Sequence, residues 1–181
     1  MCGILAILDR TTALHDCRAE VLLDRLAHRG PDGRGVFSTD SAWLGHRRLA
    51  IVDPEGSPQP YVTARSPGER VAWALNGEIY NHEALRAELG GEFASAGDGA
   101  VLGPHFARDG DAMPDALDGA FAFVLLDEAT GHWIAARDAL GICPLYVGHH
   151  DDGTIWFASE MKALVDDCSR VEIVPPAALH K

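Results

Sequence analysis

The chain has 181 residues, 47% of them hydrophobic, and a formal net charge of −12. That length and apolar content call for a packed core and exclude wholesale disorder. The acidic balance excludes a nucleic-acid surface and an anionic lipid surface, both of which need clustered Lys and Arg.

In chain order, "GILAIL" (Gly3 to Leu8) reads as a buried strand from its unbroken apolar run. "DCRAEVLLDRLAH" then places Ala19, Leu22, Leu23 and Leu26 on one helical face, with Asp16 at the cap position. "HRGPDG" is turn chemistry, "GVF", "AWLGHR" and "LAIVD" read as short strands, and "PEGSPQP" reads as a loop. "RVAWAL" is a strand ending at Leu75, followed by "NGE" and a short helix "NHEALRAEL" capped by Asn81. The helix expected after Asp98 carries Gly103 and Pro104, so it is short, kinked, or starts later than its pattern. "AFAFVLLD", "HWIAARD", "PLYVGHH" and "TIWFAS" are strands at hairpin-like spacing, and "SEMKALVDD" reads as a helix. Strands with both faces buried predict two packed sheets covered by helices.

The longest apolar runs, "GILAIL" and "AFAFVLL", are too short to span a bilayer. No basic segment precedes the first of them, so a secretory signal is not expected and a cytoplasmic location is. Cys2, Cys17, Cys143 and Cys168 form no Cys-x-x-Cys pair, and His149-His150 lies in a polar turn, so no metal site is expected.

Three stretches carry chemistry. Cys2 is a small buried hydrophobe or a nucleophile, and the second reading requires a pocket and an oxyanion hole elsewhere. Asn76-Gly77 is a hairpin dipeptide, or a carboxamide and an unhindered N–H converging on one oxygen. Arg47 and Arg48 alternate along a strand, so one of them faces away from solvent, where it can fork onto a carboxylate.

"MCGI", "HRGPD", "HRRLAIVD", "NGEIYNH", "DGAFAFVLLD", "ARDALGICPLY" and "SEMKAL" occur in one order. In this the chain resembles the glutaminase domain of asparagine synthetases, class II glutamine amidotransferases with an N-terminal nucleophile. The similarity runs from Cys2 to about Pro176. It implies an α+β fold, a four-layer αββα sandwich of two mostly antiparallel sheets. It implies removal of Met1, a domain of residues 2–181, and Cys2 as nucleophile with its own α-amine as base, since the two groups titrate near pH 8. By motif position, Asn76 and Gly77 hold the oxyanion, Arg48 takes the substrate α-carboxylate, and Glu78 and Asp98 take the α-ammonium. Arg29 and Asp32 are structural on this reading. The implied reaction gives glutamate and ammonia through a glutamyl thioester.

The same resemblance implies no cofactor for this domain. ATP and Mg²⁺ are expected only in a synthetase domain that receives the ammonia and makes asparagine from aspartate, and no Gly-rich phosphate loop is present in this sequence. The implied partners are glutamine and that synthetase domain, and a homodimer is compatible with it. An amidotransferase serving another acceptor and a non-catalytic relative retaining the fold are the alternatives. Two departures stand out. Ala100 replaces an expected acid, and Gly97 and Gly99 flank Asp98. These predict a loose ammonium pocket with a high KM, which Ala100→Glu would lower. Ala120 replaces an expected Met.

Overall fold

The opening strand β1 (Gly3–Leu8) is apolar at every position because both of its faces are covered. The computed structural model describes residues 1–10, 16–51, 53, 56–66 and 69–180. Val52, Pro54 and Glu55, within the expected strand and loop, and Lys181 lie outside the described residues.

Among the described residues two antiparallel sheets form. The first has the order β10-β8-β9-β1-β3-β2 and the second β11-β7-β6-β5-β4. Their ranges are β2 (Gly33–Ser38), β3 (Trp43–Arg48), β4 (Tyr61–Ser66), β5 (Glu69–Ile79), β6 (Gly119–Asp127), β7 (Trp133–Arg137), β8 (Tyr146–His149), β9 (Ile155–Ala158), β10 (Arg170–Ile173) and β11 (Leu179–His180). Helix α1 (Asp16–Asp24) covers the first sheet, and α2 (His82–Leu89) with α3 (Leu102–Asp109) covers the second.

Period-two alternation builds the layers. Leu5 and Ile7 of β1 pack with Ala19, Leu22, Leu23 and Leu26 under α1. Ile4, Ala6 and Leu8 face the other way and meet Ala72, Ala74, Ala122 and Val124 between the sheets. Val71, Trp73 and Leu75 form the outer face of the second sheet, against Val101, Leu102 and Phe106. Three apolar interfaces between four layers make the αββα sandwich.

Several expectations change. Asn76-Gly77 is not a hairpin: β5 continues to Ile79, paired along its length with β6 as far as Ile79↔Gly119. The ladder outweighs the dipeptide's turn preference. Of "LAIVD", the described residues are not strand, because β3 ends at Arg48 and the Leu49 N–H turns to the Cys2 sulfur instead of a neighbouring strand. "SEMKALVDD" forms only a 3₁₀ turn, Met161–Ala163. Ser159 is held by the Ile4 carbonyl of β1, and Asp167 and Asp166 are drawn to Arg18 on α1 and to Arg25 just beyond it. Asn81 occupies the N-cap position of α2 without capping it. Its amide instead bridges the Ala116 carbonyl (2.9 Å) and the Asp118 N–H (3.0 Å). Asp16 is the first residue of α1, and its carboxylate accepts from the buried Arg10 and from Ser38. The helix after Asp98 begins at Leu102, with Pro104 in its first turn and Gly103 flush against the Trp73 ring. All four cysteines are free thiols.

Candidate active site

Antiparallel pairing builds one wall of the site. Gly3 is opposite Arg47, so the start of β1 lies beside the end of β3, and Cys2 falls next to Arg48 and Leu49. The Leu49 N–H donates to Cys2 Sγ (3.3 Å), and the thiol lies 3.7 Å from the Leu49 carbonyl. The Cys2 carbonyl accepts from Arg29 Nε–H at 2.7 Å. Gly30 of "HRGPD" lies flush on the Arg47–Arg48 peptide, where a Cβ would come within 2.3 Å of the Arg47 carbonyl. That close approach is why a glycine follows Arg29.

The second sheet supplies the facing wall. His46 Nε2–H crosses between the sheets to the Leu75 carbonyl (2.9 Å) and ties β3 to β5 just before Asn76. Along the β4 side of β5, the Leu75 N–H goes to Gln59 Oε1 (2.7 Å) and the Ile79 N–H to Asp98 Oδ2 (2.8 Å). Alternation directs the Gly77 N–H to the same edge, midway between those two. Gly77 has φ +125, and a Cβ there would lie 1.9 Å from the Ala120 carbonyl, so only glycine fits.

A cavity of about 270 Å³ opens between the walls. Cys2, Arg48, Gly77, Glu78 and Asp98 all line it, with Leu49, Gln59, Tyr61, Ala120 and Cys143. Asn76 does not line it. Its side chain is fully buried on the inter-sheet face beside Gly77, and neither amide atom has a partner among the described residues. Such orphaned buried polar atoms are uncommon in folded proteins.

The two arginines separate cleanly. Arg48 faces the cavity and donates to the Asp53 carbonyl at 2.6 Å. Arg47 faces outward to Asp24 at the end of α1. Asp32 accepts the Ala50 N–H (2.9 Å). Ala100 is buried in the apolar layer under Leu75 and Val101 and does not reach the cavity. The glycines beside Asp98 are packed as well: a Cβ on Gly97 would strike Ser57 Oγ at 2.2 Å, and one on Gly99 would strike Leu75 at 2.8 Å. The expected loose loop is therefore a tight one, and position 100 belongs to the core.

Burial pushes the Cys2 thiol up, and the Leu49 N–H, the chain's α-amino group, Arg48 and Arg29 oppose that push. Burial also drives Cys143 to about 11, which keeps that neighbour an inert thiol. Leu49, Gln59 and Tyr61 carry no motif that marks them as cavity residues in the sequence. Glu160, within "SEMKAL", holds Arg29 (3.1 Å) against Cys2.

A family model described as a glutamine amidotransferase domain matches residues 1–181. This chain belongs to the glutamine amidotransferase domain family. Asparagine synthetase [glutamine-hydrolyzing] 2 of Oryza sativa subsp. japonica is 47% identical over 99% of the domain, and asparagine synthetase [glutamine-hydrolyzing] 3 of Arabidopsis thaliana is 45% identical over the same share. The domain spans only 30% and 31% of those two relatives. Glutamine phosphoribosylpyrophosphate amidotransferase from B. subtilis superposes with a TM-score of 0.84 at 24% identity, over 98% of this chain and 46% of that one, and so shares the fold. Among the described residues of the amidotransferase domain, no helix is long and apolar enough to cross a membrane.

Proposed function

We propose that this domain hydrolyses the side-chain amide of glutamine with Cys2 as nucleophile. One observation carries the reading: among the described residues, Cys2 shares its cavity with a single guanidinium, Arg48, and two carboxylates, Glu78 and Asp98. That is the charge complement of a free α-amino acid, whose carboxylate and ammonium would fix the side chain toward the sulfur.

With Met1 removed, the Cys2 α-amine becomes the base for its own thiol. Sγ attacks the amide carbon, and the thiol proton passes to the amine. The oxyanion is met by the Gly77 N–H; the Asn76 amide, buried beside it and without a partner among the described residues, becomes a second donor only by turning toward the cavity. The amine then returns the proton to the leaving nitrogen, and ammonia departs. Water cleaves the resulting glutamyl thioester, which gives glutamate and restores the thiol. The names of the relatives, asparagine synthetase [glutamine-hydrolyzing], support a route in which the ammonia reaches a synthetase region and is used to make asparagine. This domain's own residues do the glutamine chemistry without a cofactor.

The test is ammonia release from glutamine by the Met1-processed chain. Turnover is expected, and Cys2→Ala abolishes it with the fold intact. A chain that keeps Met1 and still hydrolyses glutamine refutes the amine as base.

A further inference from the structure

We infer that Glu160 is a positioning residue for Cys2, acting through Arg29; this rests on the proposed role of Cys2 as nucleophile. Ladder pairing of β1 to β3 begins at Gly3, so Cys2 itself lies just outside the sheet's registered pairs. Its carbonyl is held by the Arg29 Nε–H at 2.7 Å. The direction of that carbonyl fixes the Cys2 backbone, and so fixes where the Cα–Cβ bond and the α-amine point.

Arg29 is in turn held by Glu160. Nη1 lies 3.1 Å from Oε1, which also meets His28 Nε2 at 2.9 Å, while Oε2 meets Lys162 Nζ at 2.8 Å. His28 and Lys162 are half exposed, whereas the Arg29 side chain is only 10% exposed. The two exposed partners are ordinary surface ion pairs, which hold geometry weakly. Of the three partners, Arg29 is the one that reaches the Cys2 main chain. The residue before Glu160 acts on the same strand: Ser159 Oγ accepts the Ile4 N–H (2.9 Å), and the Ser159 N–H donates to the Ile4 carbonyl (3.0 Å). Ser159-Glu160 therefore secures β1 on both sides of Gly3, directly at Ile4 and through Arg29 at Cys2. Burial pushes the Glu160 carboxyl up, but hydrogen bonds from Lys162, Arg29 and His28 outweigh it and bring the group down to about 2, so it stays ionised at any working pH.

Releasing Arg29 would let Cys2 rotate while leaving Arg48, Glu78 and Asp98 in place. The loss then falls on kcat and not on KM, because misplacing a reacting group costs rate. Glu160→Gln, similar in shape but uncharged, is expected to lower kcat for glutamine about tenfold or more with KM within about twofold. It should also change the rate at which iodoacetamide alkylates Cys2, a readout that needs no glutamine. Glu160→Asp, which keeps the charge, should recover part of both and serves if the Gln variant fails to fold. In an Arg29→Ala background, Glu160→Gln should add nothing further. Unchanged kcat and alkylation in Glu160→Gln overturn the inference, as does an equal further fall in the Arg29→Ala background. If Cys2→Ala leaves glutamine turnover intact, the reading of Cys2 as nucleophile fails, and the alkylation rates still decide whether Glu160 positions it.

Discussion

Stability should fall in mild acid through one buried histidine. His46 is fully buried between the sheets, opposite Ile4 on β1. Its Nε2 faces the Leu75 carbonyl, which can only accept, so the hydrogen sits on Nε2. Nδ1 has no partner among the described residues. A second proton would therefore enter an apolar layer uncompensated. Burial is the largest cause, the Leu75 hydrogen bond works against it, and Arg48 adds repulsion; together they lower the ring from 6.5 to about 4. Between those values the unfolded chain binds the proton and the folded chain does not, so stability rises with pH across that window and is lost as pH falls through it. At about 1.4 kcal/mol per pH unit, the loss reaches about 3 kcal/mol near pH 4. Urea denaturation of the wild type and of His46→Gln, compared across the window, isolates this group. Glutamine can still donate to Leu75 but does not titrate. The wild type should lose up to about 1.4 kcal/mol more per pH unit than the variant. Parallel curves would refute the assignment of a neutral, unprotonated His46.

Arg48→Ala should raise the KM for glutamine by roughly thirtyfold, the equivalent of about 2 kcal/mol for losing one partner of a shielded ion pair. Arg47→Ala should leave KM unchanged and cost under about 1 kcal/mol in a urea titration, since its partner Asp24 is exposed. Gly77→Ala should lower the thermal midpoint sharply, by about 3 kcal/mol of stability, because a positive φ and the Ala120 carbonyl both exclude a Cβ. Ala100→Glu should destabilise by about 2–4 kcal/mol in urea and leave the KM of the folded fraction alone, since it places a carboxyl in an apolar layer. A lowered KM in that variant would return position 100 to the pocket.

The parts of the fold legible in the sequence are those where pattern and burial are local. β1 and β6 are unbroken apolar runs, and α1 carries its three buried residues, Ala19, Leu22 and Leu23, at helical spacing. The strands that escaped notice, β4, β10 and β11, are all at sheet edges, where one side is open and the apolar signal is weak. Asn76-Gly77 misled because its conformation is decided by β6, a partner far along the chain. Which of Arg47 and Arg48 turns inward depends on the Gly3↔Arg47 register, which no local pattern states. "SEMKALVDD" has helical periodicity, but contacts to β1 and α1 claim its ends. Ala100 looked like a lost ligand because proximity to Asp98 in sequence says nothing about which way a side chain in a 3₁₀ turn faces.

β1 lies between β3 and β9, hydrogen-bonded along both edges and covered above and below. Its amides can exchange with solvent only when two neighbouring strands part, an opening close to global unfolding in cost. The residue carrying the sulfur is joined directly to that strand. Heating should therefore not loosen this wall of the cavity in advance of the rest. Deuterium uptake in Ile4 to Ile7 should be among the slowest in the domain, and heat inactivation should follow the cooperative melting curve, with no earlier softening at Cys2.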